Sequence, residues 1–332
     1  MHSSKISGLS LLGAISVMAC DALEPGDVPQ ALTQAALSYL ISSDPVFTFD
    51  GLQDDQYQEE DAGSGLPSFV PPGALHKAMV DTLWPGNYDR LRTRRRITDV
   101  QLSFTVDSIN DDTAYVTITH SLTGNFTVAG FNDSAGVWVL VDSISKSFSL
   151  STNRRARFIA GGSATDSSEG WRLDALTALT GMAGAKIDVG GITVTDSLGI
   201  VLSLTGFDPV DHFFNRDNLP TFKAHQNFDL FVSVVRTGPE FPVGPGEIVG
   251  VYRGGRHGTT RYAVRRNLHD RGVAPDEVAG DNIYSRTLTV GPYTANIRPF
   301  RMFIDVVDVN SMLVASEEFA MGFIGIPYRI SE

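Results

Sequence analysis

The stretch Val100-Gln101-Leu102-Ser103-Phe104-Thr105-Val106, with the turn Asn110-Asp111-Asp112 and the continuation Tyr115-Val116-Thr117-Ile118-Thr119-His120, decides the fold class. Apolar and polar residues alternate through it with a period of two, the signature of a strand with one covered face and one wet face. Asn and Asp supply the turn between the runs. The same pattern continues at Phe126 and Val128, and again around Ala156–Phe158. A longer apolar run, Val137 to Val141, lies between them, and Trp171-Arg172-Leu173-Asp174-Ala175-Leu176 closes the series.

Upstream the period changes. Leu32, Ala35, Ala36, Tyr39 and Leu40 recur at helical spacing between Gln30 and Ile41. A second helix is expected after Pro71-Pro72, using Leu75, Met79, Val80 and Leu83 and stopping at Pro85-Gly86. Between these helices, residues 50–72 are acidic and rich in Gly and Pro, and read as a solvated loop. Two helices followed by an antiparallel meander imply an α+β fold, helices packed on a curved antiparallel sheet.

That element order, closed by Gly170-Trp171-Arg172-Leu173, resembles the nuclear-transport-factor-like cone superfamily over residues 30–182. The resemblance implies a pocket between the sheet's concave face and the helices. Such a fold hosts enzymes, binders and scaffolds alike.

Gly181, Gly184, Gly190 and Gly191 mark a junction, and beyond it the patterning is strand-like throughout. Runs at 192–204, 228–235, 247–252, 260–265, 283–290, 300–309 and 312–319, with turn residues between them, predict an all-β sandwich over 187–330. The segment from Asp270-Arg271-Gly272 to Asp276-Glu277-Val278-Ala279-Gly280-Asp281-Asn282-Ile283-Tyr284 resembles a loop-and-strand motif of bacterial immunoglobulin-like domains. The usual form has Asp where Arg271 stands and Gly where Asn282 stands.

The first residues carry an address. Lys5 precedes an apolar run from Leu9 to Met18, too short to span a bilayer, and small residues lead to Ala19-Cys20. Val17-Met18-Ala19-Cys20 resembles the lipobox of bacterial lipoproteins. The resemblance implies a signal peptide over 1–19, lipid on Cys20, and a tether over 20–29. Met18 departs from the small residue usual at that place. Cys20 is the only cysteine, so no disulfide can form. By the same resemblance Asp21 reads as an inner-membrane retention signal. The expected location is a bacterial membrane, facing the periplasm or the cell surface. Loss of residues 1–19 removes one Lys and no acid, so the net charge of −12 becomes −13. A field of that sign excludes nucleic acid as a partner.

Candidate chemistry is sparse. Arg90, Arg92, Arg94 and Arg96 stand at alternate positions, with Arg95 among them, so on a strand the four share one face. They suit an anionic ligand, or the acidic loop at Asp54, Asp55, Glu59, Glu60 and Asp61. Asp270, Asp276 and Asp281 offer oxygen ligands for calcium, or cap turns on their own backbone. Calcium is the one ion the sequence raises, and no other cofactor motif is present.

The cone pocket would draw its polar groups from His76, Asp81, Tyr88 and His120. His120 is in phase with Val116 and Ile118, so it faces inward, as a general base or as a hydrogen-bonded core residue. The reading that follows is a membrane-anchored, non-catalytic interaction module for a protein or a small apolar ligand. A cone-fold isomerase, dehydratase or hydrolase using His120, and a structural subunit of an envelope assembly, are the alternatives.

Overall fold

A computed structural model describes residues 30–47, 54–58, 81–110, 112–161, 170–206, 211–239, 241–242, 246–253, 256–257, 260–261, 264–292 and 300–332. Helix α1 (Gln30–Ser43) buries Thr33, Ala36, Leu37 and Ile41, an i, i+3, i+4, i+8 stripe. Tyr39 is exposed, so the covered face is turned away from the one expected. Asp44 and Pro45 follow the helix, and a proline there cannot continue it.

Strand β1 (Asp54–Gln58) precedes three exceptionally long ones: β2 (Arg90–Asn110), β3 (Thr113–Ser134) and β4 (Val137–Ala160), of 21, 22 and 24 residues. The short runs legible in the sequence are thus parts of three continuous strands. Bulges between Ile97 and Asp99, Val106 and Ser108, and Gly130 and Phe131 adjust their register without ending them.

The remainder comprises β5 (Trp171–Thr177), β6 (Leu179–Ala183), β7 (Ile187–Asp196), β8 (Gly199–Thr205), β9 (Phe213–Asn215), β10 (Thr221–Lys223) and β11 (Asn227–Arg236). After these come β12 (Glu247–Arg253), β13 (Arg256–His257), β14 (Thr260–Arg261), β15 (Val264–Asn267), β16 (Ile283–Thr289), β17 (Phe300–Asp308), the short helix α2 (Val309–Leu313) and β18 (Met321–Ser331).

One sheet runs β1-β2-β3-β4-β6-β18-β17-β12-β15, and a second runs β16-β11-β7-β8. The second sheet packs on β12, β17 and β18 in a sandwich-like arrangement, with Ile192, Leu230, Val251, Ile304 and Ile324 between the layers. Strand β6 sits between β4 and β18, so hydrogen bonding continues unbroken from the N-terminal meander into the C-terminal strands.

This architecture overturns the expected α+β cone with helices packed on a curved sheet, while the C-terminal part is sandwich-like. Of the described residues 66% are strand and 9% helical, with two helices, one of them five residues long. The helix expected beyond Pro72 lies largely outside the described residues, and Thr82 pairs as an isolated bridge with Val314. The physical reason for the correction is what covers the sheet. Helix α1 packs on one end of the long strands, with Val116, Ile118, Ala156 and Phe158. Their middle is covered by the C-terminal segment: Phe319 stacks on Phe126, and Leu313 and Phe323 join Leu122 and Leu150 in one cluster. A cone needs helices where this fold uses strands and a loop.

Candidate functional site

The β3–β4 hairpin turns at Ala135 and Gly136, both with positive φ (55° and 83°), the backbone of a two-residue type I′ turn. Asp133 Oδ1 accepts the Gly136 N–H at 2.7 Å and stitches the turn closed. The Asp89 carboxylate accepts the Asp133 N–H at 2.9 Å, and Asn132 Oδ1 accepts the Asp89 N–H at 3.0 Å. The hairpin tip is therefore a well-fixed element.

On that tip stand Val137, Trp138, Val139, Leu140 and Val141, exposed by 64%, 42%, 47%, 51% and 55%. Successive strand residues point to opposite faces, so five apolar residues in a row leave both faces of the tip apolar and wet. Their inner edge pairs with Phe131–Ser134; among the described strands none pairs with the other edge of this run. Arg90 lies over the Trp138 ring at 5.3 Å and Arg92 over Phe131 at 5.0 Å, at the base of the tip.

At the opposite end, beneath α1, His120 is buried, and its Nε2 meets the Phe47 carbonyl oxygen at 2.8 Å. Burial draws its pKa down to about 4; the carbonyl opposes this, and the Arg154 and Arg301 guanidiniums add to it. At neutral pH the ring is uncharged and a very weak base. Arg154, also buried, donates from Nη1 to the Val46 carbonyl oxygen at 3.0 Å. Burial, with Arg301 adding, lowers its pKa to about 9.

The other pocket candidates do not join it. Tyr88 packs its ring against Gly130, ten positions along β3 from His120, and donates to Asp142 at 3.1 Å. Burial, and then Asp142, raises its pKa to about 12. Ten residues of strand separate the two by about 33 Å. Asp81 is exposed and accepts the Ser316 N–H at 3.3 Å. His76 and Cys20 lie outside the described residues. A groove of about 530 Å³ opens instead where Thr123, Asn125, Ser147, Ser149 and Glu318 meet Phe148 and Phe319, a wall of mixed polar and apolar groups.

Arg90, Arg92, Arg94 and Arg96 do share one face, with Leu91, Thr93 and Arg95 turned inward. The backbone of β1 runs beside them, Asp54 across from Arg95 and Gln58 across from Thr93, so an acidic segment borders the comb. In the aspartate loop, carboxylate oxygens of Asp270, Asp276 and Asp281 come within 4.8 Å of one another. They are occupied by backbone donors: Asp276 takes the N–H groups of Arg271, Gly272 and Val278, Asp270 those of Gly280 and Asn282, and Asp281 that of Ile283.

One cluster escaped sequence reasoning. Arg95, turned inward from the comb, meets Asp305 of β17, which Tyr252 and Arg265 also reach. A separation of 210 residues between Arg95 and Asp305 leaves no local spacing to read. The one available signal was that Arg95 is the odd member of an alternating set. Comparison with protein-family models, with curated proteins and with solved structures finds no match for this chain.

Proposed function

We propose that this chain is an exported lipoprotein, held to a membrane through Cys20, that serves as a non-catalytic interaction module of the cell envelope and engages a protein partner with the β3–β4 tip. The observation that carries the reading is the tip itself, five consecutive exposed apolar residues on a braced hairpin. An exposed contiguous apolar surface has a cost in water that a partner relieves. Both faces are apolar, which suits a protein cleft that grips the hairpin more than a flat platform.

The position of the tip supports the same reading. Helix α1, which follows the expected tether, packs at the far end of the long strands, roughly 50 Å from Phe131 along β3 at about 3.3 Å per residue. An anchor at one end and an apolar tip at the other hold the tip away from the membrane. No helix among the described residues is long and apolar enough to cross a bilayer. The buried His120, held neutral and far from Tyr88, speaks for binding over general-base chemistry at that residue.

Two measurements test the reading. Cys20→Ser should abolish labelling with palmitate and release the protein from the membrane fraction; equal labelling of both forms removes the anchor. A photo-reactive residue at Val139 should cross-link a discrete partner in intact envelopes, and Leu140→Ser should weaken that product at least tenfold. Cross-linking that is the same from Val139 and from Ser149, on the hydroxyl-rich surface, would remove the tip as the binding element.

A further inference from the structure

Strand β4 is paired along one edge with β3 for nearly its whole length. Along the other it pairs only with β6, at Ser151, Thr152 and Asn153, and with β5, from Ala156 onward. Between Val137 and Leu150 its outer edge meets no strand among the described residues. Such an edge presents a row of backbone N–H and C=O groups to any chain that can lie along it, and proteins blunt it with charged side chains, proline or bulges. The run Val137-Trp138-Val139-Leu140-Val141 holds no charge and no proline. Its one irregularity is the bulge that makes Val141 the extra residue, at the end of the run.

The order of the side chains says what fits there. With a second copy of β4 laid antiparallel along this edge, about a two-fold axis at Val139, that residue faces its own counterpart. Trp138 then faces Leu140, and Val137 faces Val141. Residues directly opposite share a face of the sheet, so one face gathers two Trp138–Leu140 pairs and the other the Val139 pair. No neighbouring axis matches the run. Centred on Leu140, it sets Trp138 against Asp142; centred on Trp138, it sets Leu140 against the turn residue Gly136. The segment is thus complementary to itself, which is what a two-fold contact between identical chains requires.

We infer that the partner of the tip is a second copy of this chain, paired edge to edge through β4 about Val139. This rests on the reading of the tip as the binding element and names its occupant. Antiparallel pairing at the tips points the two hairpins in opposite directions. Each α1 end lies roughly 50 Å from its own tip, so the two α1 ends stand about 100 Å apart, at opposite ends of the pair. The lipid anchors expected beside them are separated in the same way. Two chains standing on one membrane point the same way and do not meet like this, whereas chains on two facing membranes do. The contact is a homophilic bridge between membrane surfaces. Five residues of strand bury less than the roughly 1,200–2,000 Å² of a standard interface, so a single pair is weak. Many copies on apposed surfaces act together and make the bridge firm.

The test uses the lipidated protein reconstituted in phosphatidylcholine vesicles. Vesicles bearing wild type should cluster, read as a several-fold rise in light scattering. Leu140→Asp should leave them dispersed, with its melting temperature unchanged. Register supplies a second readout. Val139→Cys should form a disulfide dimer on mild oxidation with copper phenanthroline, with wild type as the blank. Vesicles carrying Trp138→Cys mixed with vesicles carrying Leu140→Cys should form one too. Either population alone should not, because positions two residues out of register lie beyond the reach of a disulfide. Wild-type vesicles that stay dispersed, or disulfides formed alike from every variant, would overturn the pair. So would clustering of wild-type vesicles with protein-free ones, which makes lipid the occupant. If Val139 cross-links a different protein in envelopes, the tip remains a binding element and the second copy falls; if it cross-links nothing, the tip itself falls.

Discussion

The two ends of the β3–β4 hairpin are made from the same kind of strand and meet opposite fates. At the α1 end, Val116, Ile118 and Phe158 are wholly buried under the helix, and even a histidine and an arginine are sealed in beside them. At the turn end, Val137 to Val141 stand in solvent. Backbone pairing does not distinguish the ends, since β3 and β4 stay paired from Thr113–Ile159 to Ser134–Val137. What differs is the layer laid over them. The lesson is that sheet formation and burial are separate events in this molecule: hydrogen bonding extends the strands well beyond the hydrophobic cover, and the uncovered part is apolar on both faces.

That contrast is sharpest under truncation. Phe158→Ala, at the covered end, should lower unfolding free energy by about 3–5 kcal/mol, read from the urea midpoint at unchanged slope. Val139→Ser, at the bare end, should stay within about 0.5 kcal/mol of wild type, because it removes no packed contact. Equal losses at the two positions would mean that the tip is packed in solution, and the comparison would fall.

Acid sharpens it next. His120 is neutral in the folded protein, with its pKa near 4, whereas an unfolded histidine titrates near 6.5. The unfolded chain therefore binds the extra proton first as pH falls. Stability from this group is complete above pH 6.5 and is lost progressively between 6.5 and 4, on the order of 3 kcal/mol in all. His120→Gln keeps a donor for the Phe47 carbonyl and cannot titrate, so its unfolding free energy should be flatter across that window. An identical pH slope in both proteins would show that the ring is charged or exposed, contrary to its place under α1. No titrating group at the tip has a comparable burial.

Much of this was legible in the residues. The period of two from Val100 to His120 predicted paired strands with an inward His120, and both are present. The alternation of Arg90, Arg92, Arg94 and Arg96 predicted a shared face. Two things misled, and a third was left open. The helical face was read through Ala35 and Tyr39, which are exposed, because the Ala-rich segment offers several apolar stripes with little to separate them. The cone fold required helical cover, and nothing local in a strand reveals whether a helix or a distant strand will lie on it. The run from Val137 to Val141 reads only as a longer apolar strand, and an unbroken apolar stretch does not itself say which of its faces is covered. Here it is exposed on both. A pattern in sequence reports which faces are apolar and is silent on whether the chain itself supplies their cover. The Arg95–Asp305 contact fails to show for a related reason: alternation places Arg95 inside and cannot name a partner 210 residues away.

The smallest expected effect concerns the turn that fixes the bare end. Ala135 holds φ at 55°, a left-handed conformation that crowds a Cβ and costs a non-glycine residue about 1–2 kcal/mol. Asn tolerates this region because its short polar side chain bonds locally, and Asn-Gly is the preferred pair for a type I′ turn. Ala135→Asn should therefore stabilise the protein by a few tenths to about 1 kcal/mol, a gain seen in the urea midpoint and expressed as slower amide exchange at Ser134 and Val137. The substitution leaves the five apolar side chains and the Asp133 brace in place, so cross-linking from Val139 should persist at wild-type yield. A tighter turn with undiminished partner capture is what a preorganised binding tip gives. If Ala135→Asn destabilises the protein, or if firming the turn abolishes capture, then the tip works by rearranging rather than by being held ready, and the contrast between a packed end and a rigid bare end no longer describes the molecule.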